Sequence, residues 1–274
     1  SSINLKGFMV GNGCTGYETG ACSAQGTEIG VKFLFGHGLY SQNLHAQIMK
    51  TCKDLANPSS QCYALLEQMG QEVGNVNIYD IYYPCINGGL RNRNLGPAKN
   101  LKDWASRAGN HSRMMRIPPR LIDMALAPEG PAECIDGIQA SKYLNLQSVR
   151  EAIHVQTSGT WTICSPVDYT RSTASLLPLY PTLIKKYRTL IYNGDVDACV
   201  PYVGNEEWTS SLGFAVKEGW RSWTVNQQVA GYVTVYNEND FTFLTVKGSG
   251  HMVPEFRPPQ ALAMFERFIK NQPF

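Results

Sequence analysis

No window of the sequence holds a block of Lys and Arg, and none is an apolar run of the roughly 18 residues a membrane-spanning helix needs. The first absence, with a net charge of only +2 and a pI near 8.1, argues against nucleic acid as a partner, because such binding leaves a basic footprint. No Cys-x-x-Cys pair occurs and no cysteine sits beside a histidine at metal-ligand spacing, so neither a zinc site nor any other metal is expected, and nothing implies a cofactor. No internal repeat is visible. The first residue is Ser rather than Met and no signal peptide precedes it, so the expectation is a processed, excised or incomplete chain.

What is there describes a globular protein. With 43% hydrophobic and 17% charged residues, 274 residues can bury a substantial core, as one large α/β domain or a domain with an insertion. Eight cysteines are many for a reducing compartment and point to disulfides. The sequon Asn110-His111-Ser112 agrees with processing on the secretory route and makes Asn110 a glycosylation candidate.

In chain order, residues 3–10 read as a strand entering the turn signature Gly11-Asn12-Gly13, and a Gly-, Thr- and Ser-rich loop follows with Cys14 and Cys22. Helical patterns cover about 27–36, 41–55 and 59–70; the last two bring Cys52 and Cys62 close enough for a bridge across their turn. Residues 77–83 alternate and end at Pro84-Cys85. From 86 to about 136, Gly and Pro break up short apolar pieces such as 121–126, the texture of an irregular insertion. Cys85 and Cys134 bracket it, and a bridge there closes a loop of about 50 residues, worth about 3–5 kcal/mol in the chain-entropy model.

Regular alternation then resumes. Helices are expected at about 138–154, 174–186 and 202–211, strands at 187–192, 220–225, 229–237 and 241–247, and a Pro-started helix at 258–271. Strands separated by helices predict a largely parallel sheet with its site at the strands' C-terminal ends.

Two loops at those ends carry chemistry. Asn193-Gly194-Asp195-Val196-Asp197 follows one strand, and Lys247-Gly248-Ser249-Gly250-His251-Met252-Val253-Pro254 follows a later one. A histidine on a Gly-rich corner between strand and helix suits general acid–base work, since imidazole titrates near physiological pH. Asp followed by His is also the order of an α/β-hydrolase triad, in which a carboxylate orients the imidazole. The plainer alternative is a turn histidine with two turn or N-cap aspartates.

The two motifs resemble those of the serine carboxypeptidases of the cathepsin A and carboxypeptidase Y family, and so do three further stretches: residues 5–13, 77–85 and 143–152. The resemblance covers in effect the whole chain. It implies an α/β-hydrolase fold, of which this chain is the C-terminal part of the sheet, with a helical and irregular cap insertion. The expected division is 1–25, core strand and loop; 26–136, cap; and 137–274, the C-terminal half of the core. Carried over residue by residue, the triad aspartate falls on Asp197, with Asp195 the runner-up, and the triad histidine on His251. Met252 and Val200 fall on positions that line the substrate cleft. Val200 matches a site where some members carry Cys, and its neighbour Cys199 is expected to be a free, partly buried thiol.

The sequence also departs from that family. The Gly-Glu-Ser-Tyr-Ala-Gly nucleophile elbow does not occur in it, nor do the Gly-Gly oxyanion segment or the carboxylate-binding Trp and Asn. The expectation is that all belong upstream of residue 1, so that the serine comes from an N-terminal part of the same enzyme. Cys164 agrees, because its counterpart in the family pairs with a cysteine of that part. An internal substitute is Cys14 in Asn12-Gly13-Cys14-Thr15-Gly16, which faintly resembles an elbow; its neighbour Cys22 offers it a disulfide partner instead. Ser249 lies too near His251 in the chain to attack in such geometry. The resemblance thus implies a serine-type carboxypeptidase acting on peptide C-termini, lysosomal, vacuolar or secreted, and a homodimer is compatible with it. Acyl transfer and cyanohydrin cleavage, which plant relatives perform, are the enzymatic alternatives; a non-catalytic protective or scaffold subunit is the third.

Overall fold

The computed structural model describes residues 3–16, 18–85, 134, 137–155, 159–162 and 175–274. By compactness the chain falls into two units: Ser1–Gly74 with Ile78–Tyr82 and Arg171–Phe274, and Asn75–Asn77 with Tyr83–Thr170. The boundaries expected from the sequence, at 25/26 and 136/137, divide it differently. Residues 26–74 cluster with the sheet, and 137–170 belong to the second unit.

The first unit is built on a five-stranded sheet. In chain order its strands are β1 (Gly7–Gly11), β2 (Arg188–Gly194), β3 (Val216–Val225), β4 (Gln228–Tyr236) and β5 (Thr242–Val246), and in space they run β1-β2-β5-β4-β3. β1, β2 and β5 are parallel, whereas β5-β4-β3 is antiparallel. The sheet is therefore mixed rather than largely parallel. The reason is local: β3 and β4 meet through Asn226 and Gln227, both with positive φ, the two-residue turn whose twist matches a hairpin. Asn239 and Asp240, also left-handed, turn the chain from β4 into β5. No helix is available to reverse direction in either connection.

The first unit's helices are α1 (Gly26–Gly36), α2 (Gln42–Thr51), α3 (Ser60–Val73), α6 (Tyr180–Lys186), α7 (Tyr202–Ser211), the short α8 (Val253–Phe256) and α9 (Pro258–Lys270). Ser41 and Ser59 cap α2 and α3 by accepting the Leu44 and Cys62 N–H groups. Pro178 and Pro181 break the expected 174–186 helix into a 3₁₀ turn, Leu177–Leu179, and α6.

Period-two alternation places the core on both faces of the sheet. Leu190, Leu244, Val246, Val233 and Val235 pack with Ala261, Met264 and Phe268 of α9. Ile191 and Phe243 point the other way, onto Tyr180 and Ile184 of α6 and Trp208 of α7. Each of these buried aliphatic or aromatic side chains contributes about 1.5–3 kcal/mol from leaving water. The result is a three-layer α/β/α arrangement that presents the ends of β1, β2 and β5 side by side.

The second unit contains α4 (Ile138–Leu144) and α5 (Gln147–Ala152), where the sequence suggested one helix over 138–154. The break is at Asn145, whose side chain binds the Ser141 and Trp161 carbonyls and accepts from Arg150 and the Trp161 N–H. Residues 77–83, despite their alternation, form turns instead of a strand. Among the described residues three disulfides join Cys14 to Cys22, Cys52 to Cys62 and Cys85 to Cys134. Asn110, Cys164 and the apolar piece 121–126 lie outside the described residues. Among the described residues no helix is long and apolar enough to cross a membrane.

Candidate active site

β2 and β5 end together, because Asn193 pairs with Thr245 and Gly194 with Val246. The loops that leave them, 195–200 and 247–252, start side by side at the C-terminal edge of the sheet. β1 ends next to Tyr192, which brings Asn12 to the same edge.

These loops join the two residues picked out from the sequence. His251 Nδ1 lies 2.8 Å from Asp197 Oδ2; the carboxylate side chain has no exposure and the imidazole keeps 30%. The same oxygen accepts from Asn12 Nδ2 at 2.6 Å, and Oδ1 accepts from the Cys199 N–H at 2.8 Å. A buried carboxylate supplied with three N–H donors is held as an acceptor in a fixed orientation. Because a carboxylate can only accept, Nδ1 carries the imidazole proton and Nε2 is left as the basic nitrogen.

The segment 78–81 clamps both loops. The Tyr79 carbonyl accepts from the His251 N–H at 2.6 Å, and the Ile78 carbonyl from the Ala198 and Cys199 N–H groups at 2.9 and 3.0 Å. The Tyr79 ring meets the imidazole edge-on at 5.7 Å. From behind, Asn193 donates to the Val200 carbonyl and accepts from Asn205, which in turn accepts from Trp208 Nε1. This buried amide chain fixes the loop end against α7.

Asp195 has a different role from Asp197. Its Oδ1 accepts the Gly248 N–H at 2.6 Å and so ties the β2 loop to the β5 loop. Burial pushes its carboxyl pKa up, an effect that the Gly248 N–H only partly opposes. With the folded pKa above the unfolded one, the group's contribution to stability is complete below the unfolded pKa and is lost as pH rises through the folded one. Asp195→Asn keeps an acceptor for Gly248 and removes the charge. The variant is therefore expected to gain in Tm over wild type as pH rises from about 3 to about 6; a pH-independent difference contradicts this.

Val200 is buried, 4% exposed, and Met252 is half-buried. Among the described residues the free cysteine is Cys199, and its thiol is buried. Burial first, and the Asp197 charge second, push its pKa up to about 12. At pH 8 about one such thiol in 10⁴ is ionised, so Cys199 should resist alkylation in the folded protein and react once it is denatured, as peptide-resolved mass spectrometry will show. Asp197, Cys199 and His251 offer ligand atoms within 4.8 Å of one another. The thiol, however, is held protonated, and both carboxylate oxygens already receive N–H donors, so the donor set does not suit a cation. Cys14, bonded to Cys22, has no thiolate to offer as a nucleophile.

The family model described as serine carboxypeptidase matches residues 1–271. The chain belongs to the serine carboxypeptidase family. Relatives include Serine carboxypeptidase-like 20 of Arabidopsis thaliana, 32% identical over 98% of this chain and 57% of that protein. Serine carboxypeptidase 1 of Hordeum vulgare is 31% identical over 98% of this chain and 57% of its own length. The Lysosomal protective protein of Mus musculus is 31% identical over 100% and 60%. The chain thus spans less than two thirds of these curated relatives. Among solved structures it is similar to Kex1(Δ)p, a prohormone-processing carboxypeptidase from Saccharomyces cerevisiae, with a TM-score of 0.56 and 16% identity over 98% of this chain and 55% of that one. The mixed sheet and its helices are accordingly an α/β-hydrolase fold, as serine carboxypeptidases have.

Two residues of the site were not picked out from the sequence as site residues. Asn12 was read within a turn signature and the family-like stretch 5–13, and Tyr79 within the alternating, family-like stretch 77–85. The available signal was position: a Gly-Asn-Gly turn at the end of a strand marks a backbone corner at the functional edge of an α/β sheet.

Proposed function

We propose that this chain supplies the Asp and His of a serine-type carboxypeptidase that releases C-terminal residues from peptides through an acyl-enzyme. The observation that carries the reading is the 2.8 Å contact between a fully buried Asp197 carboxylate and a partly exposed His251 imidazole. In this reading His251 Nε2 takes the proton of an attacking serine and then gives it to the leaving amine, while Asp197 holds the ring and stabilises its charged form. The serine belongs to the part of the protein upstream of residue 1, within the length that relatives have beyond this match. Met252 faces the cleft beside His251, and Val200 forms the wall behind it. The cap comes from within the segment 26–136, and Asn110 is glycosylated. The protein resides in a lysosome or vacuole or is secreted, and a homodimer is consistent with it.

Fold does not fix chemistry, so the substrate has to be tested directly. The full-length protein is given an N-blocked dipeptide and, separately, a glucose ester with an alcohol acceptor. Release of free C-terminal amino acid from the dipeptide is the expected result. Acyl transfer from the ester without peptide hydrolysis replaces the reading with an acyltransferase.

A further inference from the structure

Asn12 is built into the dyad more closely than a turn residue needs to be. Its side chain is buried, 5% exposed, and lies 185 positions away from its partner in the chain. Both of its polar ends are used. Nδ2 donates to Asp197 Oδ2 at 2.6 Å, and Oδ1 accepts the Gly194 N–H at 3.4 Å. This fixes the amide orientation: the flipped form sets its oxygen against a carboxylate and its NH₂ against an N–H. The backbone N–H donates to the Tyr192 carbonyl at 2.9 Å, so the main chain of Asn12 is anchored to β2, the strand that delivers Asp197.

The backbone is equally particular. Asn12 has φ 44°, a left-handed conformation that asparagine tolerates better than most residues. A turn residue there commonly bonds its own backbone; this one reaches across to the single oxygen that also receives the imidazole N–H.

We propose that Asn12 is a positioning residue of the dyad: its amide fixes the rotation of the Asp197 carboxylate and thereby where the imidazole is held. The inference rests on the carboxypeptidase reading above. Without the Asn12 donor, Oδ2 keeps only the His251 proton, and the carboxylate is free to turn about its Cβ–Cγ bond while Cys199 retains Oδ1. A misplaced base loses rate and leaves substrate binding intact. The titratable groups that face the position are Asp197 and, across it, His251; the far carboxylate oxygen is held by the Cys199 backbone N–H rather than by its thiol.

Asn12→Asp in the full-length protein is the decisive variant. It keeps the size and tolerates the left-handed backbone, and its carboxyl can stand in for the amide donor only while protonated. Peptide hydrolysis is expected to show kcat reduced about 100-fold at pH 7, with KM within about threefold, and to recover towards wild type as the pH falls below the range of the introduced carboxyl. Asn12→Gly, which also accepts positive φ, is expected to lose kcat to a similar degree at every pH. If Asn12→Asp does not fold, Asn12→Gly carries the test through its kcat against KM. Wild-type kcat and pH profile in either variant overturn the proposal. A pH-independent loss in Asn12→Asp that tracks its drop in Tm overturns it too, because it assigns Asn12 a structural role alone. His251→Ala is measured alongside: if that variant keeps activity, the carboxypeptidase reading itself fails and this inference with it. An inactive His251→Ala beside an unaffected Asn12→Asp sinks the positioning role alone.

Discussion

His251→Ala in the full-length protein is expected to lower kcat for peptide hydrolysis by roughly 10⁴-fold or more, with the fold intact. In the proposed reading the imidazole moves the proton: Nδ1 faces Asp197, which leaves Nε2 for the nucleophile. Asp197→Asn is expected to approach the same loss by another route. An amide NH₂ facing Nδ1 favours the tautomer with its proton on Nε2, which cannot accept one from serine. The two losses should not add, since both residues serve one proton transfer. Because Asp197 is fully buried and also binds Asn12 and the Cys199 N–H, its variant should lose some stability as well, whereas half-buried His251 should lose little. Kinetics and thermal unfolding of both variants and the double variant check this. An Asp197→Asn enzyme with wild-type kcat rules out Asp197 as the triad acid.

The second large effect is expected from a single methyl group. Gly250 lies under the Tyr79 carbonyl, and a Cβ built on it overlaps that oxygen and comes within 2.5 Å of the Asp80 Cβ. Both neighbours belong to the segment that grips the loops carrying Asp197 and His251, and the Tyr79 carbonyl already binds the His251 N–H. Gly250→Ala must therefore push that segment away from His251, at a cost of about 3 kcal/mol of stability. A shift of about 1 Å in the base is enough to reduce kcat about 100-fold. Gly70→Ala is the control. Nothing lies within 4 Å of its added Cβ, and it sits inside α3, so it should stabilise the protein by about 0.5–1 kcal/mol and leave kcat unchanged. Equal behaviour of the two variants contradicts the account.

The sequence was most informative where one residue type has few alternatives. A histidine set between Gly248, Gly250 and a Pro-started helix could be read as a corner, and the Asn-Gly-Asp-x-Asp run as a loop beyond a strand. The antiparallel half of the sheet was also signalled, by Asn226-Gln227 and Asn239-Asp240, although alternation of helices and strands elsewhere favoured a parallel reading. Residues 77–83 alternate without forming a strand, for a physical reason. Tyr79 and Ile81 are buried and alternate with other residues, yet Asp80 between them is 2% exposed, so their burial comes from sealing two loops rather than from one face of a pleat. Asn12 was hidden by distance. Its contact with Asp197 exists because β1 and β2 lie side by side, and strand order emerges from packing that no local pattern records.

In the proposed reading Asp197 and His251 activate a serine that lies outside these 274 residues. A fluorophosphonate probe reacts covalently with a serine only when a base has activated it. The full-length protein is labelled, digested, and the modified residue located by mass spectrometry. One adduct is expected, on a serine upstream of residue 1, with labelling abolished in His251→Ala. An adduct on a serine within residues 1–274, or undiminished labelling in His251→Ala, contradicts it.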